Sequence, residues 1–320
     1  MPSAAAAIHP VRPERAAFQG FLGVVTAMEV PYPNRTAFSS DWMESSAAWF
    51  EGHGHAEPWG LCAGLAGVAV GQLLIIMYHV LRRSDPATRP PTIQGKQPAF
   101  RLADDLRMHF GAPESVVMLA SYLALAWFGY IPLPWGMHQL PRTYFNWHAP
   151  LSPVNVLLQL LVVDFLMYVM HRLEHGVSTT YYKHSHKPHH RFINPQIFNA
   201  FNGSTIDTFT MILIPLHGTC QLLRFCSLLD YIAFGFTYSS YLMLIHSEYP
   251  HAWDTVFSYL GVGTASDHHV HHAKFVWNYG HLFTYWDRMC GTYKAPAAVF
   301  KDKWCTQPLA ASVEGDKKRS

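Results

Sequence analysis

Charge is scarce in this sequence. Lys, Arg, Asp and Glu together make up 14% of the 320 residues, whereas hydrophobic residues make up 50%. Typical soluble domains carry about 25% charged residues. The net charge is +2, so there is no excess of Lys and Arg with which to line a nucleic-acid surface. The composition therefore favours a membrane protein and argues against a nucleic-acid partner.

Cysteine pairs and cofactor-binding motifs are also missing. The five cysteines form no C-x-x-C pair, so neither a disulfide framework nor a zinc ribbon is indicated. The sequence contains no Rossmann glycine fingerprint and no haem attachment motif. Residues 1–58 lack the apolar core of a cleavable signal peptide, and no segment has the composition of an interdomain linker. We expect one membrane-embedded unit with a poorly ordered N-terminal segment at 1–58.

Long apolar runs predict membrane helices. Residues 59–81 contain no Asp, Glu, Lys or Arg, and about 20 helical residues cross a bilayer. Further spans are predicted at 115–132 and 154–170. Two shorter runs, at 208–223 and 231–246, predict a helical hairpin that enters or tilts across the bilayer and returns to its starting side. The predicted fold class is therefore all-α, an integral membrane helical bundle of about four to five membrane helices.

The distribution of Lys and Arg predicts the topology. If the first span runs inward, the inner segments carry 18 of the basic residues and the outer segments carry 5, in agreement with the positive-inside rule. The histidine-rich segments and the C-terminus are then cytosolic. The basic tail at 297–320 ends in KKRS, which is similar to a dilysine retrieval signal of the endoplasmic reticulum. We predict a multi-pass protein of that membrane, with helices and loops at 59–153 and a catalytic domain at 154–296.

Histidine, by contrast, is abundant. The chain has 21, many of them in three dense groups, HRLEH at 171–175, HSHKPHH at 184–190 and HHVHH at 268–272. Residues three or four apart share one face of a helix, so each group places imidazoles on a common stripe. Imidazole binds iron, zinc, copper and nickel, and eight such ligands exceed what one ion uses. The groups predict a di-metal site in a cytosolic, histidine-rich helical cap, with these ligands: His171, His175, His186, His189, His190, His268, His271 and His272.

The first of these groups has a second interpretation. HRLEH alone fits the H-x-x-E-H signature of inverted zinc proteases, with Glu174 as the base and His171 and His175 as ligands. This interpretation leaves six clustered histidines without a role and supplies no obvious third ligand. A zinc protease is therefore a remote alternative.

The order of the motifs carries a family resemblance. HRLEH, HKPHH and HHVHH, followed by NYGHLFTYWDRMCGTY at 278–293, are together similar to the fatty acid hydroxylase and sterol desaturase superfamily of membrane di-iron oxygenases. With DFLMYVMHR, IPLHG and LIHSEY, the sequence most resembles the sterol C-5 desaturases, also called lathosterol oxidases. The resemblance covers residues 164–296.

The resemblance implies a chemistry and a set of ligands. It implies that the eight histidines above are catalytic iron ligands, and His246 matches a ninth. Two iron ions would use O2 as co-substrate. Electrons would come indirectly from NAD(P)H, through cytochrome b5 or a similar donor. The substrate would be a lipid in the membrane.

The implied activity is an O2-dependent sterol desaturation, foremost at C-5, in sterol biosynthesis. Hydroxylation of a fatty acyl chain, or of another sterol position as by a C-4 methyl oxidase, is the alternative. A catalytically silent member that binds sterol or metal as a sensor is a third hypothesis.

Residues near the motifs have less defined roles. Asp164 lies two helical turns before His171, so it is a candidate to accept a hydrogen bond from the far nitrogen of a ligand histidine. Pairing with an interfacial Arg is the other interpretation. Trp286, Asp287 and Arg288 match a family motif, in which we expect a charge pair that anchors the tail. Five further histidines are expected beside the ligands or in the packing: His184, His217, His251, His269 and His281.

Overall fold

The computed structural model describes residues 59–84, 91–95, 101–111, 141–145 and 149–300, together with six isolated positions at 45, 49, 52, 53, 116 and 120. Within these residues the chain is helical, and its one β contact is a bridge between Val262 and Phe283. This confirms the all-α prediction for the described part of the chain. The predicted span at 115–132, the segment at 1–58 and the tail ending in KKRS lie almost entirely outside the described residues.

The described helices vary widely in length. Three are long, and the others are short segments that connect them or carry histidines. In chain order, the helices are α1 (Trp59–Ser84), α2 (Leu102–Phe110), α3 (Pro153–Gly176), α4 (Thr179–His184), α5 (Ile214–Leu222), α6 (Leu228–Ile245), α7 (Asp254–Tyr259), α8 (Ala265–Lys274) and α9 (Tyr285–Met289). A helical turn at Thr205–Asp207 and a π-helical segment at Thr208–Leu213 lead into α5, and 3-10 turns form at Arg142–Phe145, His189–Arg191, Ile197–Asn199 and Pro296–Ala298.

Three of the described helices are long and apolar enough to cross a membrane. The candidate spans are Cys62–Ser84, Pro153–Gly176 and Leu228–Ile245. The first and second correspond to the predicted runs at 59–81 and 154–170. The predicted hairpin differs from the structure, because its second half forms a helix long enough to span, whereas its first half is divided between the π-helical segment and α5. A bundle of four to five membrane helices stays a prediction.

The N-termini of α3 and α6 are fixed to each other by one carboxylate. Asp230 completes a capping box with Ser227 at the start of α6. Its side-chain oxygens also accept hydrogen bonds from the backbone N–H of Ser152 and the side-chain amide of Asn155, both at 2.7 Å. Orphan N–H groups at the ends of two helices are thereby satisfied by one side chain. The two helices therefore start at a common level.

The contact between α1 and α6 depends on small residues. Gly64, Gly67 and Gly71 lie on one face of α1, against α6. A Cβ atom at position 67 would collide with the carbonyl oxygen of Ile232, and one at position 71 with that of Phe236. Small residues at such a seam let two membrane helices approach until their backbones touch.

The outer faces of these helices are apolar, whereas the interior side chains interlock. Val70, Leu73 and Met77 on α1 and Val154 and Leu157 on α3 are all exposed large hydrophobic residues. Exposure of apolar residues on consecutive turns is what a lipid-facing surface requires. Inside, α3, α5 and α6 share a buried core whose members include Val163, Met167, Phe234, Tyr238 and Leu242.

We expect Gly67→Leu to separate α1 from α6, because the added side chain meets backbone rather than a movable group. The free energy of unfolding should fall by about 1 to 3 kcal/mol, the usual cost of overpacking. Thermal unfolding in detergent measures this effect. Ala69→Leu, on the exposed side of the same helix, is the control and should change the midpoint little. Equal midpoints for both variants would contradict the glycine seam.

Candidate metal centre

The nine clustered histidines come from four segments of the fold. The last turns of α3 carry two of them, the segment after α4 carries three, the C-cap of α6 carries one and α8 carries three. The structure brings all nine predicted ligand residues together in two groups, within which the candidate ligand atoms lie within 4.8 Å of one another. Group one is His171, His175, His186, His190 and His271, and group two is His189, His246, His268 and His272.

The Nε2 atoms of group one converge. The Nε2 atom of His171 lies 2.9 Å from that of His186. The Nε2 atom of His190 lies 3.2 Å from that of His175 and 3.0 Å from that of His271. These five rings therefore direct their Nε2 atoms toward a common volume.

Group two has the same arrangement. The Nε2 atom of His246 lies 3.3 Å from that of His189 and 3.0 Å from that of His268. The Nε2 atom of His272 lies 3.1 Å from that of His268. His246, which lies between the second and third sequence motifs, is thus an integral member of this group.

The spacing of these nitrogens suits a shared cation. Two nitrogens that each lie about 2.1 Å from one ion, at an angle of about 90° to 110°, are about 3.0 to 3.4 Å apart. The contacts of both groups fall between 2.9 and 3.3 Å. Burial and the neighbouring imidazoles hold the pKa of His190, His268 and His271 well below the usual value, so these rings stay neutral and keep a lone pair for a metal.

Hydrogen bonds on the outer side of the rings select the tautomer. Five of the nine rings have an oxygen atom within 2.6 to 3.2 Å of Nδ1. A carbonyl oxygen only accepts, so the Nδ1 atom donates and the Nε2 atom keeps its lone pair. The acceptors are the carbonyl oxygens of Tyr279, Asn202, Leu242 and Trp277 for His171, His189, His246 and His271, and the carboxylate of Asp207 for His186.

One pair tests whether the rings fit a metal. His189 and His246 both donate Nδ1–H to carbonyl oxygens, so their Nε2 atoms, 3.3 Å apart, both present lone pairs. Two acceptors form no hydrogen bond with each other, and a buried acceptor without a donor is costly. A cation that takes both lone pairs resolves this conflict. The donor set therefore fits a metal site.

Glu174, the base of the protease hypothesis, contacts other residues. It lies between His171 and His175 in sequence, but its Oε1 atom accepts hydrogen bonds from the Tyr181 hydroxyl at 2.9 Å and from the Thr210 hydroxyl. Glu174 is fully buried, so these contacts fasten α3 to α4 and to the π-helical segment. This arrangement gives Glu174 a structural role between two candidate ligands.

Asp164 acts on a loop rather than on a histidine ring. Its carboxylate accepts hydrogen bonds from the backbone N–H groups of residues 281–283, at 2.7 to 3.1 Å, and from the indole N–H of Trp286 at 2.9 Å. The predicted contact with a ligand imidazole and the alternative pairing with Arg are not among these bonds. The reason is that the loop after α8 folds back over α3. The same loop supplies the Tyr279 carbonyl group to His171.

A second carboxylate holds the same loop. Asp287 accepts hydrogen bonds from the backbone N–H groups of Tyr279 at 2.9 Å and Gly280 at 2.7 Å. Burial raises its pKa to about 6, although these donors favour the charged form. We expected a charge pair between Asp287 and Arg288. In the structure the Arg288 guanidinium instead lies over the Tyr293 ring, 3.9 Å from its centroid.

The remaining predicted histidines lie outside both groups. His184 is exposed and pairs its Nδ1 atom with the carbonyl oxygen of Thr180. His269 is buried, donates to the carbonyl oxygen of Ser247 at 2.9 Å, and accepts from Gln94 at 2.8 Å. His217 and His251 are buried but belong to neither group.

Sequence reasoning missed the residues that support the rings. Asp207 and the carbonyl group of Asn202 contact candidate ligands, yet neither belongs to a histidine motif. The available signal for Asp207 was an acidic residue at the start of an otherwise apolar run. A backbone carbonyl group carries no sequence signal at all.

A small cavity of about 30 Å³ adjoins both groups. Its polar wall includes the rings of His186, His189 and His246, and its apolar wall includes Met167, Met211 and Leu242. The π-helical segment supplies part of the apolar wall, in keeping with the frequent occurrence of π-helical turns at functional sites. The arrangement brings hydrocarbon-compatible side chains next to the candidate metal ligands.

Replacement of His246 tests the second group. In His246→Ala, purified in detergent, we expect the metal content measured by inductively coupled plasma mass spectrometry to fall by about half, because group one keeps its five rings. His184→Ala, outside both groups, is the control and should keep the full metal content. Equal metal content in the two variants would contradict a ligand role for His246.

Replacement of Asp164 tests the loop that supports His171. Asp164→Asn places an amide N–H group against backbone N–H donors, so the free energy of unfolding should fall by about 2 to 4 kcal/mol. Denaturation in detergent measures this change, with Asp104→Asn on the exposed face of α2 as the control. A variant as stable as the wild type would show that Asp164 does not hold the loop.

Comparisons with known proteins agree with this geometry. Residues 156–292 match the sequence profile of the family described as Fatty acid hydroxylase. The chain is 43% identical over 243 residues to a protein of Phaeodactylum tricornutum described as an alternative squalene epoxidase. The aligned region covers 75% of this chain and 68% of that protein. No solved structure matches the chain significantly.

Other relatives are similar over shorter stretches. A probable Delta(7)-sterol 5(6)-desaturase of Neurospora crassa is 33% identical over 43% of this chain and 37% of that protein. Methylsterol monooxygenase 1 of Rattus norvegicus is 28% identical over 50% of this chain and 51% of that protein. The chain thus spans about half or less of the length of these two relatives. The resemblance inferred from the histidine motifs is confirmed, and the chain belongs to the fatty acid hydroxylase family of oxygen-dependent oxidoreductases, which includes sterol desaturases.

Proposed function

We propose that this protein is a membrane di-iron oxidoreductase that uses O2 to oxidise a lipid of sterol biosynthesis. The observation that carries the proposal is the pair of histidine groups, each with convergent ring nitrogens. Imidazole ligands suit iron in a site of this kind. His171, His175, His186, His190 and His271 would hold one iron ion, and His189, His246, His268 and His272 the other, within a catalytic domain at 154–296.

The irons would supply the reductive activation of O2, which acid and base side chains do not provide. Both reactions considered below consume one O2, two electrons and two protons. Epoxidation leaves one oxygen atom on the lipid and the other in water, whereas desaturation leaves both in water. The chain's own contribution is to hold the rings in one orientation and to place the lipid beside them. The apolar wall formed by Met167, Met211 and Leu242 suits a hydrocarbon and excludes water.

Squalene is the substrate that we propose first. The support is the relative described as an alternative squalene epoxidase, which is 43% identical and matches most of this chain. Squalene is a hydrocarbon without a polar group, in keeping with the apolar side chains of the cavity. The proposed reaction is the addition of one oxygen atom across a terminal double bond of squalene.

Sterol C-5 desaturation is the second candidate. It is supported by the relatives described as Delta(7)-sterol 5(6)-desaturases, of which one from Neurospora crassa is 33% identical over 143 residues and one from Aspergillus fumigatus is 25% identical over 237 residues. Oxidation of a C-4 methyl group follows in the same way from the methylsterol monooxygenase. The protease alternative has no comparable support, since Glu174 contacts Tyr181 and Thr210.

Electrons are proposed to come from cytochrome b5 or a similar carrier, fed by NAD(P)H. Two partly exposed aromatic rings mark where such a carrier would come close to the candidate ligands. Tyr182 lies against His175 and Phe275 lies against His190, each with 4.9 Å between ring centroids. An acidic carrier would find basic residues nearby. The exposed basic residues on the histidine-bearing segments are Lys183, Lys187, Arg191 and Lys274. We place this face and the C-terminus in the cytosol, at the membrane of the endoplasmic reticulum.

The substrate is tested by isotope labelling. Microsomes containing the protein, supplied with NADPH, a reductase and cytochrome b5, are given squalene, a Delta(7)-sterol or a 4-methylsterol under ¹⁸O2, and products are read by mass spectrometry. We expect oxidosqualene with one ¹⁸O atom. Formation of a 5,6 double bond without ¹⁸O would instead support C-5 desaturation, and an ¹⁸O-labelled methylsterol would support C-4 oxidation.

The controls separate chemistry from expression. His190→Ala should abolish product formation, because it removes a candidate ligand of group one, whereas His184→Ala should retain it. Iron content is measured on the same preparations. Iron-loaded wild-type protein that converts none of these lipids would contradict the proposed substrates.

A further inference from the structure

His281 has a position that neither group explains. Its ring is stacked on His171 of group one, with 4.9 Å between centroids and 30° between planes. It also lies 5.2 Å from the ring of His268 of group two. His281 is not a member of either group. Its ring therefore bridges the two groups from the side without belonging to them.

The ring of His281 has no hydrogen-bond partner among the described residues. The side chain is only 6% exposed, and its Nδ1 atom is buried without a donor or acceptor. The ring forms part of the wall of the 30 Å³ cavity, next to His186, His189 and His246. Buried polar atoms in native proteins are nearly always paired. The Nδ1 atoms of His190, His268 and His272 are likewise unpaired, so what distinguishes His281 is that its ring lines the cavity without belonging to either group.

His269 is a useful comparison, because it is equally buried but has a packing role. Both of its ring nitrogens have partners, the carbonyl oxygen of Ser247 and the side-chain amide of Gln94. A histidine that serves packing alone is satisfied by the protein in this way. His281 lacks such partners.

The backbone around His281 is held firmly, which fixes the position from which the ring extends. The N–H group of His281 donates to Asp164 at 3.1 Å. Its carbonyl oxygen lies so close to Gly263 that a Cβ atom there would approach it to 2.9 Å. Asp164, which the sequence suggested as a partner of a ligand histidine, instead fixes the loop that directs His281 to the cavity.

We propose that His281 forms a hydrogen bond to O2, or to the oxygen atom being transferred, in the cavity between the two histidine groups. This inference rests on the proposed function. The cavity is large enough for a small oxygen ligand, since its volume of about 30 Å³ exceeds the roughly 10 to 15 Å³ that one water molecule needs. Its other histidine rings are assigned to the irons, and the remaining polar residues of its lining are Asp207 and Thr208. His281 is the histidine on its wall that remains available to a small oxygen ligand.

The experiment uses azide as a small anionic probe of the cavity in the full-length, iron-loaded protein. Azide affinity is measured by visible absorption, and iron content is measured on the same samples. His281→Phe keeps the ring volume but removes the hydrogen bond, so azide affinity should fall about tenfold. His281→Gln keeps a donor and should stay within about threefold of the wild type. Both variants should retain the wild-type iron content.

A second readout follows the fate of O2. With NADPH, reductase and cytochrome b5 present, His281→Phe should release more hydrogen peroxide per NADPH oxidised than the wild type, because the oxygen ligand is held less well. His217→Phe is the matched control, a buried histidine that does not line the cavity. It should behave as the wild type in both assays.

Three outcomes would overturn the inference. Unchanged azide affinity and unchanged peroxide release in His281→Phe would assign His281 to packing. Loss of iron in both His281 variants would make it a metal ligand instead. Wild-type protein that binds no iron would contradict the proposed function itself, a result that is distinct from failure of the His281 variants alone.

Discussion

The convergence of nine imidazole rings, eight of them buried and that of His175 partly buried, is the constraint on which the rest of this structure depends. Neighbouring Nε2 atoms lie about 3 Å apart within each group, and in the pair of His189 and His246 both nitrogens present lone pairs. Such an arrangement is unfavourable for neutral rings alone, since acceptors are buried without donors. It becomes favourable when each group shares a cation. The fold thus concentrates donor atoms in two groups whose geometry fits a metal ion.

Carboxylates hold this arrangement without entering either group. Asp164 and Asp287 accept hydrogen bonds from backbone N–H groups of the loop after α8, and Glu174 fastens α3 to its neighbours. Only Asp207 contacts a candidate ligand ring directly. These acidic residues therefore act mainly on the backbone. The ring orientations then follow from where the backbone carbonyl groups lie.

The relation between the groups and the membrane helices gives the site its chemical character. The last turns of α3 carry histidines into the site, and the C-cap of α6 adds His246. The apolar faces of the same helices contribute Met167 and Leu242 to the cavity. The same two helices, α3 and α6, thus carry both candidate ligands and apolar side chains of the cavity wall. In the proposed function, these apolar faces would place an apolar substrate beside the candidate metal ligands.

The sequence alone determined the helical class, two of the long apolar helices and eight of the nine histidines in the two groups, while the ninth, His246, was predicted from the family resemblance. These features depend on local composition and on spacing along one helix face, which the chain carries directly. Only the tertiary structure decided how the nine divide into five and four, since each group draws on three segments that are distant in sequence. It also decided the role of Asp164, whose partners lie 117 to 122 residues away in sequence. Helical spacing predicts which residues share a helix face, but the tertiary fold determines which distant residues contact that face.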